Sequence, residues 1–124
     1  MLRKTSLICA VWMAGSSPAH AGQPISECMI QCGALYTVAS DRVSTFDRAR
    51  RLHAAAQVWA DAALAQAENE RRSDTEGYVS HLWGEKCAQW SDKGALYFFS
   101  EDFRDWTSYC RALARSRGLH IDPD

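Results

Sequence analysis

The chain has 124 residues, with 14 basic and 15 acidic side chains and a formal net charge of −1. This balance argues against a nucleic-acid partner and against binding to an anionic membrane surface, because both require concentrated positive charge. Five cysteines in so short a chain make the state of its sulphur atoms the first structural question.

The amino-terminal segment has the three parts of a secretory signal peptide. Arg3–Lys4 provides the positive start, a short apolar run follows, and Ala19-x-Ala21 has the small residues of a cleavage site. The apolar run is shorter than the roughly 20 residues that span a bilayer. We therefore predict a signal peptide over 1–21, a single domain without a membrane span over 22–124, and a periplasmic or secreted location.

Cleavage after Ala21 changes both the charge and the cysteine count of the chain. Two of the 14 basic residues leave with the leader, so the mature net charge becomes −3. Four cysteines remain, namely Cys28, Cys32, Cys87 and Cys110. An even number of cysteines in an exported chain predicts disulfides.

Helical spacing of apolar residues continues through nearly the whole domain and predicts an all-α bundle of about four helices. The first helix is expected from about Ile25 to Ala39, with Pro24 in its first turn. The second begins at "STFD", where Ser44 is the expected cap. Its predicted apolar stripe comprises Phe46, Ala49, Leu52, Ala56, Trp59, Ala63 and Ala67.

The third and fourth helices are indicated by their capping residues. Ser73 and Glu76 form a capping box before the third helix, and Gly94 is expected to end it. Gly84, inside that helix, predicts a close contact with a neighbour, because glycine weakens a helix interior. Ser100 is the expected cap of the last helix, which should end before Gly118; Phe103, Trp106, Cys110 and Leu113 share one of its faces.

The cysteine positions predict disulfides between helices. Cys28 and Cys32 are four residues apart on one face, but the β-carbons of a disulfide lie closer than a helical turn normally places them. Each should therefore pair with a later cysteine, linking the first helix to the third through Cys87 and to the fourth through Cys110. Both such connectivities remain open.

Two other uses of Cys28 and Cys32 are a copper site and a thiol-redox pair. Copper(I) favours thiolate ligands, and the motif Cys-x3-Cys-Gly-x-x-His occurs in binuclear copper centres. Here Tyr36 stands in the position of that histidine. The copper or redox interpretation is therefore the alternative, and structural disulfides are the expectation.

The segment "ALYFFSEDFRDWTSYC" concentrates large aromatic side chains next to carboxylates. One interpretation is that Phe99, Phe103 and Trp106 complete the core. The other is a partner-binding surface, because consecutive Phe98 and Phe99 cannot both point inward. The residues predicted for such a surface are Tyr97, Phe98, Phe99, Glu101 and Asp102.

No group of residues in the sequence has the spacing of a catalytic centre. Ser80 and His81 are adjacent on a helix and diverge, and His53 lies among arginines and alanines. We therefore predict a non-enzymatic protein that needs no cofactor or metal and interacts with an envelope or extracellular protein. A bundle that holds a small ligand between its helices is a further alternative.

Overall fold

A computed structural model describes residues 23–123, and the predicted signal peptide lies outside this range. Within it the chain forms four α-helices and one short 3-10 helix, with no strand, so the all-α bundle is confirmed. The helices are α1 (Ile25–Ser40), α2 (Phe46–Asn69), α3 (Thr75–Ser91), the 3-10 helix (Ala95–Phe99) and α4 (Glu101–Ser116).

Helix α1 is the centre of the bundle and is buried on nearly every side. It packs against α2, α3 and α4. Apart from Glu27 and Gln31, nearly all of its residues are apolar or small around the whole circumference, which is the pattern of a helix enclosed by others. Polar Ser26 and Gln31 are buried with the rest. Burial therefore extends well beyond the one face that carries Cys28 and Cys32.

The glycine at which two helices pack closely is Gly33 of α1. The sequence predicted such a contact at Gly84 of α3 instead. A β-carbon at Gly33 would overlap the ring of Trp83 and crowd Trp59. Gly84 is exposed, and a β-carbon there would have nothing within 4 Å. The predicted contact at Gly84 is wrong because Gly84 lies on the exposed face of α3, whereas its neighbour Trp83 is the residue that contacts α1.

The predicted caps of α3 and α4 agree with the structure to within one residue, whereas the predicted Ser44 cap of α2 is wrong, because the N-cap there is Thr45 and its side chain makes no capping hydrogen bond. Ser100 Oγ accepts a hydrogen bond of 3.1 Å from the amide of Phe103, so the predicted cap of α4 is confirmed. At α3 the cap is Asp74 rather than Ser73, and its Oδ1 accepts a 3.1 Å bond from the Gly77 amide. The turn that follows α3 contains Gly94 with a φ of 85°, a conformation that favours glycine.

One disulfide joins two of the described cysteines, and it links Cys32 of α1 to Cys110 of α4. Their Cα atoms are 5.7 Å apart, and both residues are fully buried. A cross-link with a sequence separation of 78 contributes about 4 kcal/mol in the chain-entropy model. The predicted attachment of the first helix to the last is therefore confirmed, with Cys32 as the residue that makes it.

The expectation of two inter-helix disulfides is wrong for the described cysteines, because Cys87 of α3 is a free thiol. Burial and, secondly, the Asp41 carboxylate raise the pKa of Cys87, so this thiol lies near the C-terminal end of α1. Cys28 lies near the other end, about 20 Å from Asp41 at a rise of about 1.5 Å per residue. Cys87 therefore cannot bond to Cys28.

A polar network fastens the start of α1 to the segment between α2 and α3. Ser26 Oγ donates a hydrogen bond to Glu70 Oε1 at 2.7 Å. Because that bond uses the only hydroxyl hydrogen of Ser26, Tyr78 Oη, 2.8 Å away, is the donor in the hydrogen bond between Tyr78 and Ser26. Glu70 Oε2 also accepts from the Ser26 amide at 3.0 Å. The Arg72 guanidinium contacts Glu70 Oε1 at 3.0 Å and lies 4.1 Å from the ring centroid of Tyr78.

Among residues 23–123, none of the helices is both long and apolar enough to cross a membrane.

Candidate functional site

The aromatic segment of the sequence forms a cluster where the 3-10 helix meets α4. The ring of Phe98 lies edge-on to Phe103, with centroids 5.0 Å apart, and to Tyr97 at 5.7 Å. Tyr97 also approaches Trp90 of α3 at 5.8 Å. Trp106, fully buried, meets Trp90 at 5.2 Å. These contacts fix the 3-10 helix against both α3 and α4.

Two of the predicted partner-binding residues bond to each other. Tyr97 Oη donates to Asp102 Oδ2 at 2.7 Å, which ties the 3-10 helix to the first turn of α4. Burial raises the pKa of Tyr97, and the hydrogen bond and charge of Asp102 raise it further. The phenol therefore stays protonated and keeps donating to the carboxylate, a contact that supports the local fold.

The two adjacent phenylalanines point in different directions, as the sequence predicted. Phe98 is half-buried in the cluster, whereas 79% of Phe99 is exposed. Phe99 therefore does not complete the core, although Trp106 does. Glu101, another predicted surface residue, is exposed at the start of α4. The structure thus presents Phe99 and Glu101 outward and holds Tyr97 and Asp102 inward.

A groove of about 480 Å³ lies beside this cluster. Its walls come from the end of α1, the α1–α2 turn, the start of α2, the 3-10 helix and α4. The lining residues are Ala39, Arg42, Val43, Ser44, Thr45, Arg48, Leu52, Ala95, Phe98, Phe99 and Phe103. The groove is therefore mainly apolar and combines parts of the chain about fifty residues apart.

Positive charge is placed at this groove without a matching negative charge. Arg42 and Arg48 line it, and none of its lining residues is acidic. The Arg42 guanidinium lies 5.4 Å from the ring centroid of Phe98, a cation–π contact. Within the described part of the chain, Arg50 and Arg51 are paired with Asp47, but neither groove arginine forms an ion pair.

Sequence reasoning missed Arg42, Val43 and Arg48 as parts of a site. The only signal available was the stretch "DRVSTFDR", which joins basic residues to apolar ones in a turn. The opposite wall of the groove comes from the 3-10 helix of the same chain. The closeness of these two segments depends on tertiary structure, so it could not be inferred from the spacing of residues in the sequence.

The residues considered for metal or catalytic chemistry are not brought together. Cys32 is bonded to Cys110 and has no thiolate to offer a metal. Among residues 23–123, there is no group of three or more His, Cys, Asp or Glu side chains arranged to hold an ion. His53 is exposed, and His81 Nε2 faces Glu85 at 3.1 Å on the surface of α3.

No protein-family model matches this chain, and no curated protein or solved structure matches it at a significant level.

Proposed function

We propose that this protein is an exported, non-enzymatic module that binds a partner protein of the envelope or extracellular space through the groove. The observation that carries the proposal is an apolar groove with an exposed phenylalanine, Phe99, and two arginines without ion pairs. Its occupant is a partner segment that carries apolar side chains next to aspartate or glutamate.

The apolar part of the groove provides the affinity. Phe99 projects from its edge, and Phe98, Phe103 and Leu52 line it, so an inserted side chain would be surrounded by carbon. Aromatic and arginine residues are enriched among those that dominate protein interfaces. A phenylalanine with 79% of its surface exposed gains more from such burial than a residue already packed.

The charged part of the groove provides the selectivity. Arg42 and Arg48 attract carboxylates, and no lining acid competes for them. An arginine pairs with a carboxylate through two parallel hydrogen bonds, so a partner residue would be held in register. Attraction of this kind weakens as salt increases, and the affinity should follow.

Export is supported by two independent features. The leader-like segment over 1–21 matches a signal peptide, and the Cys32–Cys110 disulfide suits an oxidising compartment. Mass spectrometry of the protein recovered from the cell envelope should give a chain that begins at Gly22. Recovery of the full-length chain from the cytosol would contradict export.

Selection from a random peptide display library tests the chemistry of the occupant. On the oxidised protein, we expect enrichment of peptides that combine Leu, Phe or Trp with Asp or Glu. A second selection on the variant carrying Arg42→Glu and Arg48→Glu should lose the acidic preference. Enrichment of basic peptides on the original protein, or the same peptides on both proteins, would overturn the proposal.

A further inference from the structure

The Cys32–Cys110 disulfide lies two helical turns from the groove on both of the helices that it joins. Ala39 follows Cys32 by seven residues in α1, and Phe103 precedes Cys110 by seven residues in α4. Residues seven apart share one face of a helix, and their axial distance is about 10 Å at a rise of about 1.5 Å per residue. Ala39 and Phe103 both line the groove. Helices α1 and α4 therefore run in opposite directions between the disulfide and the groove.

The two walls of the groove continue these two helices. The arginine wall is Arg42 and Arg48, and Arg42 follows the end of α1 by two residues. The phenylalanine wall is Phe98, Phe99 and Phe103, and Phe99 precedes the start of α4 by two residues. The distance between the walls therefore depends on how α1 and α4 are held together.

The phenylalanine wall is attached to the core only through residues further along α4. None of the five residues of the 3-10 helix is buried. Helix α4 packs against α1 less extensively than α2 and α3 do. Its buried residues all follow Phe103 in the chain, and they are Trp106, Thr107, Cys110, Leu113 and Ala114. Among them, Cys110 is the residue with a covalent bond to α1.

The noncovalent contacts of the phenylalanine wall do not fix its distance from α1. Tyr97 and Trp106 approach Trp90 at 5.8 and 5.2 Å, but Trp90 belongs to α3. The two walls touch where the Arg42 guanidinium lies over the ring of Phe98, and one cation–π contact is too weak to hold two helices. A helix as short as α4 is marginal in water without packing. Without the S–S bond, the walls are therefore no longer held at a fixed distance.

We propose that the Cys32–Cys110 disulfide is a switch that assembles the groove, so that the chain binds its partner only after oxidation; this deepens the proposed function and rests on it. The two thiols lose two protons and two electrons as the S–S bond forms. A protein or glutathione disulfide accepts them and becomes two thiols. Because both cysteines are 0% exposed in the folded chain, the bond forms while the chain folds. The reduced precursor therefore lacks a binding groove before export.

A binding measurement on the predicted mature chain tests this switch. The probe is a short synthetic peptide that alternates Leu or Phe with Asp or Glu. The double variant Cys32→Ala, Cys110→Ala should bind it about tenfold or more weakly than the original protein. Cys87→Ala, a matched change at the free thiol, should leave the affinity unchanged. Equal affinities of the double variant and the original protein would overturn the proposal.

A destabilised variant with an intact disulfide separates the switch from a loss of stability. Val79 is buried in α3 and does not line the groove. Val79→Ala should lower the Tm, because it removes buried methyl groups, and should keep the peptide affinity of the original protein. An equal loss of affinity in Val79→Ala and in the double cysteine variant would overturn the proposal.

Hydrogen–deuterium exchange tests the switch without the peptide. In the double cysteine variant, we expect the amides of residues 95–103 to exchange about tenfold or more faster than in the original protein, while α1 and α2 keep their protection. Unchanged exchange over 95–103, or an equal loss of protection in all four helices, would overturn the proposal. Failure of the peptide to bind the oxidised protein would contradict the proposed function, and the exchange comparison then decides on the switch.

Discussion

Glu70 is the residue on which most of the polar contacts at one end of the bundle converge. Burial tends to raise the pKa of its carboxyl group. Hydrogen bonds from the side chain and amide of Ser26, and then from Gln66 and Arg72, outweigh burial, and the pKa is lowered from its ordinary 4.5. The ionised carboxylate is therefore the form that the folded protein stabilises.

This shift predicts a loss of stability in acid. Because the folded-state pKa is below the unfolded value, the contribution is complete above about pH 4.5 and is lost as pH falls through the lower folded-state value. Glu70→Gln should lower the free energy of unfolding near neutrality and flatten its decline below that pH. Urea titrations between about pH 7 and 3 measure this, with exposed Glu68→Gln as control. Parallel curves for Glu70→Gln and the original protein would refute it.

At the scale of helices, α1 and α3 pack closely at Gly33, where α1 has no side chain. The ring of Trp83 occupies the space that a β-carbon at Gly33 would fill, and Trp59 closes it from the side of α2. Gly84 lies in an equally regular helix but faces open space. The two glycines therefore differ in packing while sharing the same weak helix propensity.

Alanine at each of these glycines should have opposite effects. Gly84→Ala should raise the free energy of unfolding by about 0.5–1 kcal/mol, since alanine is the better helix former. Gly33→Ala should lower it by about 1–3 kcal/mol, because the overlap with Trp83 outweighs that gain. Chemical denaturation of both variants measures the difference. An equal gain in both would show that α1 and α3 do not approach closely at Gly33.

The helices themselves were predictable because capping and periodicity are local. Ser100 at the start of α4 and the glycine after α3 were identified from a few neighbouring residues. The Ser73 cap was displaced to Asp74 because both residues can accept from the first-turn amides, and spacing does not choose between them. The 3-10 helix, whose contacts with α3 and α4 are tertiary, was not foreseen.

For the whole molecule, the disulfide pattern and the groove depend on how the helices are arranged. Sequence reasoning left two pairings open, and the position of Cys87 near the far end of α1 removes the link from α3 to Cys28. Phe98 and Phe99 were recognised as unlike neighbours because both cannot face inward. The arginines opposite them, Arg42 in the α1–α2 turn and Arg48 in the first turn of α2, lie some fifty residues earlier in the chain, and no sequence pattern connects the two segments.

The distribution of charge over the molecule limits where an acidic partner can bind. The predicted mature chain has more acids than bases, so its net charge does not attract carboxylates. The groove is an exception, with Arg42 and Arg48 and no lining acid. An acidic, apolar segment should therefore dock at the groove, where the apolar lining and the two arginines lie together.

The most direct test compares two equally exposed phenylalanines. Phe99 lines the groove and Phe46 does not, and they are 79% and 81% exposed. The probe is a short synthetic peptide that alternates Leu or Phe with Asp or Glu, and its affinity is measured by fluorescence anisotropy. Phe99→Ala should weaken binding about tenfold or more, while Phe46→Ala leaves it unchanged. Equal affinities for the two variants would contradict a partner-binding groove at Phe99.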